Sequence, residues 1–538
     1  MPSAPALEGP APSSRRPIPG HCVFPSAPGD APLEPPPGGS APRAPRAALG
    51  GGAWEGKDLR VQRKGGNFVA QNHGRPPRDG DRAGEAPLSR AQAQRGAQWQ
   101  KSRLAYQRRE ARGSDRALPS GDYHVAIVGG GASGMAAALA AVEALAAAGV
   151  QPRVAVLERQ NRVGRKLLAT GNGRCNLSNA SAGDLSHYHG GVALAGPILA
   201  RWTPQAIRRF FSQLGLETVA DQEGRIYPAT DQAASVVDAL RLTLQERGVQ
   251  VLTSFQVQAL RPPASGRPFF ALEGLDGRQV LAGRVVLCCG GPAGEKVGGT
   301  ALGHALLAGL GHAVTPMLPA LCQLRVPPQA VKGLKGIKYR GDIQLLEAGQ
   351  PVQRERGEVL FTDYGVSGIA AMALCRRAAQ GLDQGKALAV RLALCPAVWA
   401  SPQALARRQA ALPRRALEDF LTGLLPRLLG RHMLKLAGIS DLSAPAEALS
   451  AQDLERLSGL LLGWTLPLTG TQPLAAAQVT AGGADTAQFW PHTLESRLCP
   501  GLFAAGELLD LDGDCGGFNL HWAWASGLMA GHTAGAGK

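Results

Sequence analysis

Gly129, Gly131 and Gly134, in the run Gly129-Gly130-Gly131-Ala132-Ser133-Gly134, satisfy the spacing G-x-G-x-x-G. The run comes after the β-branched stretch VAIV and opens a long Ala-rich segment, so it reads as strand, turn and helix start. In that setting bare backbone N–H groups and the positive end of a helix hold a pyrophosphate. Glu158 ends the next apolar stretch, 24 residues past Gly134, where a carboxylate accepts the ribose hydroxyls of an adenosine. These residues do not separate FAD from NAD, but the loop after Glu158 does. That loop, RQNRVGRKLLATGNGRCNLSN, is long and stands where a plain NAD domain would enter another helix. Further downstream, Gly290-Gly291 ends the strand-like VVLCC, and Gly506-Glu507 lies in the turn GLFAAGE. Several backbone turns returning to one ligand fit a cofactor extended across the domain, which points to FAD.

The elements that must position these residues are legible in the same way. HVAIV, the glycine turn, MAAALAAVEALAAAG and PRVAVLE form a βαβ unit. DQAASVVDALRLTLQERGVQVL reads as helix then strand, and GRPFFALEGLDGRQVLAGRVVLCCGG as a hairpin feeding a strand. GGTALGHALLAGLGH reads as a helix ended by glycine. LCQLRV, GDIQLLEAGQPV and GEVLFTDYGVSG read as antiparallel strands, Pro402 to Gly463 as helical throughout, and TLPLTGTQPLAAAQVTAGG as strands again. GLFAAGE and GGFNLHWAWASGLMAGHTA close the chain with a strand, a glycine turn and a helix. No internal repeat is visible.

The 538 residues carry a formal charge of +16, unevenly spread. Residues 1–120 hold 19 Lys and Arg against 10 Asp and Glu, and the remaining 418 hold 38 against 31, so the globular part is only mildly basic. The first 50 residues hold 14 of the 40 prolines, and residues 1–120 lack a sustained apolar period, so this segment is expected to be disordered. Within it, Leu88 to Ala117 could form a basic helix on a partner. No stretch offers the ~20 uncharged apolar residues of a bilayer span. The N-terminus does not read as a secretory signal, and nine irregularly spaced cysteines indicate neither a disulfide scaffold nor a zinc ribbon, so a reduced, cytoplasmic setting is expected.

From about residue 123 to its end the chain resembles the BaiN/YhiN-like family of bacterial FAD-dependent oxidoreductases, sometimes labelled aminoacetone-oxidase-like. The resemblance rests on GGGASGMAAALAA, VGRKLLATGNGRCNLSN, GRIYPATDQAASVVDAL, GGTALGHALLAGLGHAVTPMLPAL, GEVLFTDYGVSG, QVTAGGA and PGLFAAGELLDLDGDCGGFNLHWAWASG. It implies an α/β fold in which a Rossmann-like FAD-binding domain (121–315 and 477–538) is interrupted by a β-barrel-like domain (316–400 and 464–476) carrying a helical insertion (401–463). It further implies that Gly129, Gly131, Ser133 and Gly134 cradle the FAD pyrophosphate and Glu158 takes the ribose. Arg165 and Lys166 would flank the phosphates, and Asn172, Gly173, Arg174, Cys175 and Asn176 would wrap towards the flavin. Glu507 would hold the ribityl chain. Gly516, Gly517, Phe518, Asn519 and Leu520 would set a helix N-terminus at the flavin, stabilising the charge that builds on reduction. Two departures stand out: Cys288-Cys289 replaces a small or Thr-containing pair, and His521 stands where the family usually has Gln.

The reactions this resemblance implies are reductions of activated C=C bonds, in steroid-type enones or in a uracil ring of ribosomal RNA. Hydride would come from the flavin and a proton from an acid. With no second G-x-G-x-x-G unit, NAD(P)H would visit transiently as the electron donor. Tyr364, His521, Cys175 and Cys515 are the titratable candidates for the acid, and none is singled out. The alternatives are an FAD-dependent amine or alcohol oxidase or dehydrogenase, and a non-catalytic flavin-binding partner protein. RNA contact could come from the basic N-terminal segment, from Arg201 to Arg209, or from Lys332 to Arg340. His187 and His189 form an H-x-H with no acidic partner nearby in the chain, so no metal is expected. Oligomeric state is left open.

Overall fold

The computed structural model describes residues 123–265 and 268–537; the expectations for residues 1–120 lie outside the described residues. The first strand, β1 (Tyr123–Val128), leads through the glycine turn into α1 (Ala132–Ala147), and β2 (Val154–Leu157) returns beside β1 in parallel. The turn needs glycine for two reasons. Gly129 sits at φ +106°, and a Cβ there would lie 2.4 Å from the Cys288 carbonyl oxygen. A Cβ on Gly134 would lie 1.8 Å from the Gly129 oxygen, so the helix can start this close to the strand only without a side chain.

The helix α2 (Ala233–Glu246) crosses to β3 (Gln250–Leu252), parallel to β2. The strands β4 (Val257–Arg261), β5 (Phe270–Gly274) and β6 (Gln279–Leu287) then form an antiparallel meander. β6 serves twice: Gln279–Ala282 pairs with β5, while Tyr123–Val128 pairs in parallel with residues 282–287. The order is therefore β3-β2-β1-β6-β5-β4.

A second sheet, antiparallel throughout, is built from β7 (Leu324–Arg325), β8 (Lys338–Glu347), β9 (Gln350–Phe361), β10 (Gly365–Ser367), β11 (Leu388–Ala393), β12 (Trp464–Pro467) and β13 (Gly470–Thr471). Its order is β12-β11-β8-β9-β10-β7-β13. The two end strands are successive pieces of one stretch, and between them Leu468 N donates to Leu388 O and Thr469 N to Arg325 O, so the sheet curls until the chain itself joins its edges. Alternation explains its inner face: Leu388, Val390 and Leu392 of β11 are buried with Ile343, Leu345, Val359 and Phe361. The helix α3 (Cys375–Asp383) connects β10 to β11.

Between β11 and β12 lie α4 (Pro402–Ala411), α5 (Arg427–Leu436) and α6 (Ala451–Gly463). The expectation of continuous helix over 402–463 is corrected here, because RALEDFLTGLLPRLLGRHML is helical over a short turn at Leu417–Asp419 and again only from Arg427. Pro413 and Pro426 lack the amide hydrogen that a continuing helix needs, and Pro426 instead caps α5. In α6 the Ser450 and Asp453 side chains cap each other's backbone N–H, which fixes its start.

The chain then returns to the first sheet, where β14 (Leu502–Ala504) pairs in parallel with Val285–Leu287 of β6, and ends in α7 (Phe518–Ala536). α7 lies directly on α1. Cβ atoms on Gly527, Gly531 and Gly535 would sit 2.3, 2.0 and 2.6 Å from the carbonyl oxygens of Ser133, Ala137 and Ala141. Small residues four apart on both helices let the backbones touch, so the apolar α1 is a core helix. Among the described residues no helix is long and apolar enough to cross a membrane.

Candidate functional site

A cleft of about 1020 Å³ opens at the carboxyl ends of β1, β2 and β6. One end is lined by Gly129, Gly131, Ser133, Glu158, Arg165, Lys166, Gly290 and Gly291. Gly131 provides no side-chain cap for α1, and a Cβ there would meet nothing within 4 Å, so the first turn of α1 presents bare N–H groups to open space. Glu158 Oε2 accepts from Gly130 N (2.7 Å) and Oε1 from Gln160 N (2.6 Å), leaving lone pairs on both oxygens for a hydroxyl donor. Burial pushes this carboxyl up, against the two backbone bonds and the Arg159 charge. Arg165 is held by Gln160 Oε1 at 2.6 Å and the Lys296 carbonyl at 3.1 Å, so the cationic rim of this end is pre-positioned.

Lys166 and Glu507, remote in sequence, form an ion pair of 2.7 Å across the cleft, and Glu507 Oε1 also accepts from Thr480 N (2.9 Å). Beyond them the chain turns through Gly171, Asn172 and Gly173. Arg174 then lies 4.1 Å over the Tyr227 ring and bonds Asp231 at 2.6 Å. At the far end Gly517 caps α7 with φ +105° and no side-chain cap, and a Cβ there would lie 2.4 Å from Ser178 O. Asn519 fastens the preceding turn, accepting from Gly513 N at 2.9 Å and donating to its carbonyl at 2.6 Å. Gly516, Gly517, Asn519, Leu520, Asn172, Arg174 and Asn176 line this end. Asn176 Oδ1 is buried there without a hydrogen-bond partner, an acceptor left for a ligand N–H.

Two bare helix ends, a carboxylate at the end of the second strand and an orphaned buried acceptor suit a long dinucleotide with anions at its middle and a polar ring at its end.

Several residues expected on the cleft surface support it from behind. Gly134, Gly173, Cys175, Gly506 and Phe518 do not line it. Gly506 N bonds Ser526 Oγ (2.9 Å), its carbonyl accepts from Trp522 Nε1 (3.1 Å), and Phe518 stacks on His187 with ring centres 4.2 Å apart. Of the four acid candidates only Cys515 lines the cleft, and burial raises its thiol. The other three lie off it. Cys175 is wholly buried and pushed up to about 12 by that burial. His521 is wholly buried on α7 with Nδ1 2.8 Å from Ser178 Oγ, and burial drives it down to about 4. Tyr364 sits in the turn before β10, off the cleft, its carbonyl accepting from Val326 N.

The sequence reading missed Asp514, Arg225 and Tyr227, which line the cleft, and the partner of the H-x-H pair. Asp514 Oδ2 lies 3.0 Å from His187 Nδ1 and Oδ1 lies 3.0 Å from His189 Nε2, so the pair does have an acidic partner, brought in from more than 300 residues away. The H-x-H spacing was the visible half of this cluster. Among the described residues no group of three or more His, Cys, Asp or Glu is arranged to hold a metal ion.

A family model described as the HI0933-like protein Rossmann domain matches residues 123–533. The chain is 38% identical over 413 residues to a 3-dehydro-bile acid delta(4,6)-reductase of Clostridium scindens, covering 76% of this chain and 98% of that protein. It is 27% identical over 401 residues to a ribosomal RNA dihydrouridine synthase of Escherichia coli, covering 74% of this chain and 95% of that protein. Among solved structures, a 3-ketosteroid-delta4-(5alpha)-dehydrogenase of Rhodococcus jostii matches with a TM-score of 0.40 and 16% identity, covering 78% of this chain and 98% of that one.

Proposed function

The chain belongs to the HI0933-like Rossmann family and is an FAD-dependent oxidoreductase, and from that premise we propose that it reduces a carbonyl-activated C=C bond in an apolar small molecule, with NAD(P)H as electron source in a cytoplasmic setting. Bound FAD supplies hydride transfer. The chain's own part is to bind, orient and exclude water. Gly129, Gly131 and Ser133 would hold the pyrophosphate on the N-terminus of α1, with Gly134 keeping that turn closed. Glu158 would take the ribose, and Arg165 with the Lys166–Glu507 pair would frame the phosphates and ribityl chain. Asn172, Arg174, Asn176, Gly516, Gly517, Asn519 and Leu520 would surround the ring, with the bare end of α7 favouring negative charge there.

The observation that carries the substrate class is the apolar wall of the cleft formed by Leu321, Ile369, Pro473, Ala476 and Val479. Such a wall rewards burial of a hydrocarbon skeleton by roughly 25 cal/mol per Å² and offers little to a charged polymer. A uracil ring in RNA is the second reading, favoured by the identity to the dihydrouridine synthase. Against it, the basic run expected to meet RNA is paired on the surface: Lys335 with Asp363, Lys338 with Glu358, and Arg340 with Glu223.

The test is anaerobic photometry of the purified full chain. FAD is expected on denaturation, together with bleaching of the bound flavin by NADH or NADPH and reoxidation by a 3-oxo-4-ene or 3-oxo-4,6-diene steroid. Reoxidation by uridine-bearing ribosomal RNA fragments alone would move the substrate to RNA. Bleaching by amines or alcohols without NAD(P)H would make the protein an oxidase or dehydrogenase, and absence of any turnover with a reducible flavin would leave a binding role.

A further inference from the structure

Reduction of a C=C bond needs a hydride at one carbon and a proton at the other, and three of the four sequence candidates for the proton donor are off the cleft. The carboxylate on the cleft wall beside the bare end of α7 is Asp514, two residues ahead of Gly516. Asp514 is held from two sides. Its backbone N donates to His187 O (2.9 Å) in continuation of the two-stranded pairing of Leu511–Gly513 with Tyr188–Gly190. Its side chain takes His187 on one oxygen and His189 on the other, both at 3.0 Å. The alternation of that short strand puts the two imidazoles on one face and the buried Tyr188 on the other. The position is anchored by the neighbouring Asp512, buried and paired to Arg376 Nε of α3 at 2.9 Å.

We propose that His187, Asp514 and His189 form the proton conduit of the reaction, with Asp514 as its cleft-facing member. This rests on the C=C reductase reading above. Both histidines are about one-third exposed, so each can exchange protons with solvent, and Asp514, about two-fifths exposed, lies on the wall of the cleft. The balance closes. The imidazolium of His187 passes its Nδ1 proton to Asp514 Oδ2 and keeps the one on Nε2, or His189 passes its Nε2 proton to Oδ1. The Asp514 carboxyl delivers that proton to the carbanionic carbon left after hydride arrives at the other end of the bond, and is again a carboxylate. The imidazole recovers a proton from water, so one NAD(P)H and one solvent proton are consumed per bond reduced. Burial alone would raise the Asp514 carboxyl, but the bonds from His189 and His187 hold it below the usual carboxylate range, so it rests ionised and holds a proton only in passing, as a relay does. Three further titratable groups share its field, Tyr188, Glu355 of β9 and Cys515. Tyr188 bonds the Ala182 carbonyl and Glu355 bonds Gln353, whereas Asp514 is bonded to two imidazoles.

The test uses the full-length holoprotein and separates the two halves of turnover. Asp514→Asn and the double variant His187→Ala/His189→Ala are compared with the parent for flavin content, for bleaching by NAD(P)H, and for reoxidation of the reduced enzyme by a 3-oxo-4-ene steroid. The expected result is unchanged bleaching with reoxidation slowed by about 10²-fold in both variants, and partial recovery of the double variant by added imidazole, which a merely structural loss would not show. Independently of turnover, 15N-histidine spectra of the holoprotein should show imidazole signals of two histidines moving on Asp514→Asn. Reoxidation within threefold of the parent in the double variant, with or without imidazole, overturns the conduit even if Asp514→Asn proves unstable. A parent enzyme that NAD(P)H bleaches but no enone reoxidises overturns the C=C reading, and the conduit with it.

Discussion

His521 shows how a single buried side chain sets a pH limit. It is wholly enclosed and burial drives its titration down to about 4, against an ordinary value of about 6.5. Because the folded-state value is depressed, the unfolded chain binds the proton first. The stability associated with the neutral ring is present above about pH 6.5 and is lost as pH falls towards 4, an effect of roughly 3 kcal/mol. Replacing His521 by Gln, which can still bond Ser178 Oγ, should flatten that loss, and urea-unfolding midpoints between pH 7 and 4 would check it. A midpoint that falls as steeply in His521→Gln as in the parent would assign the acid sensitivity elsewhere. Glu158 makes the complementary case: its carboxylate both closes the glycine turn on Gly130 N and faces the cleft. Glu158→Ala should weaken FAD retention at least about tenfold, the scale of one charged hydrogen bond of roughly 1.5–3 kcal/mol, measured as flavin content after dialysis.

At the level of elements, the contact of α1 with α7 depends on missing side chains. Gly531 has no space for a Cβ because the Ala137 carbonyl lies 2.0 Å from that position, and backbone cannot step aside as a side-chain tip can. Gly531→Ala should therefore cost about 3 kcal/mol as the helices are pushed apart. Gly459 in α6 has nothing within 4 Å of its Cβ position, and Gly459→Ala should stabilise by about 0.5–1 kcal/mol. Opposite shifts in unfolding midpoint for these two helical glycines are expected, and equal shifts would contradict the packing. Gly131→Glu probes the turn itself: the open space predicts a folded protein, while a carboxylate at the phosphate position predicts a protein without flavin, read from the visible spectrum and the unfolding curve together.

For the whole molecule, the family match begins at residue 123 and β1 begins at Tyr123. The Clostridium relative is covered over 98% of its length by 413 residues of this chain, so its activity is accommodated without a counterpart of the first 120. Deleting residues 1–117 should leave flavin content and unfolding midpoint unchanged, and a fall in midpoint would show that this segment contributes to the folded body. The deletion also removes more than half of the +16 charge, so it is the direct test of whether that surplus matters for binding RNA at low salt.

The chain by itself determined the parts of this protein that depend on neighbours in sequence. A glycine pattern fixes backbone geometry through its own dihedrals, apolar periodicity separates strand from helix, and an acid 24 residues after the turn falls at the next strand end, so the βαβ unit, the flavin class and the closing glycine-turn helix were all legible. The break in the helical insertion was legible too, at Pro413 and Pro426, and was missed because apolar spacing continued across them. Tertiary structure alone decided which titratable groups meet. Cys175 and Cys515 both sit beside glycines in turns, yet one is sealed and the other faces the cleft. Lys166 finds Glu507, and His187 and His189 find Asp514, across separations of 325 to 341 residues. Those meetings are set by the order of strands, with β14 added beside β6 and α7 laid on α1, and strand order is fixed by burial of whole elements against one another, for which no local spacing carries a signal.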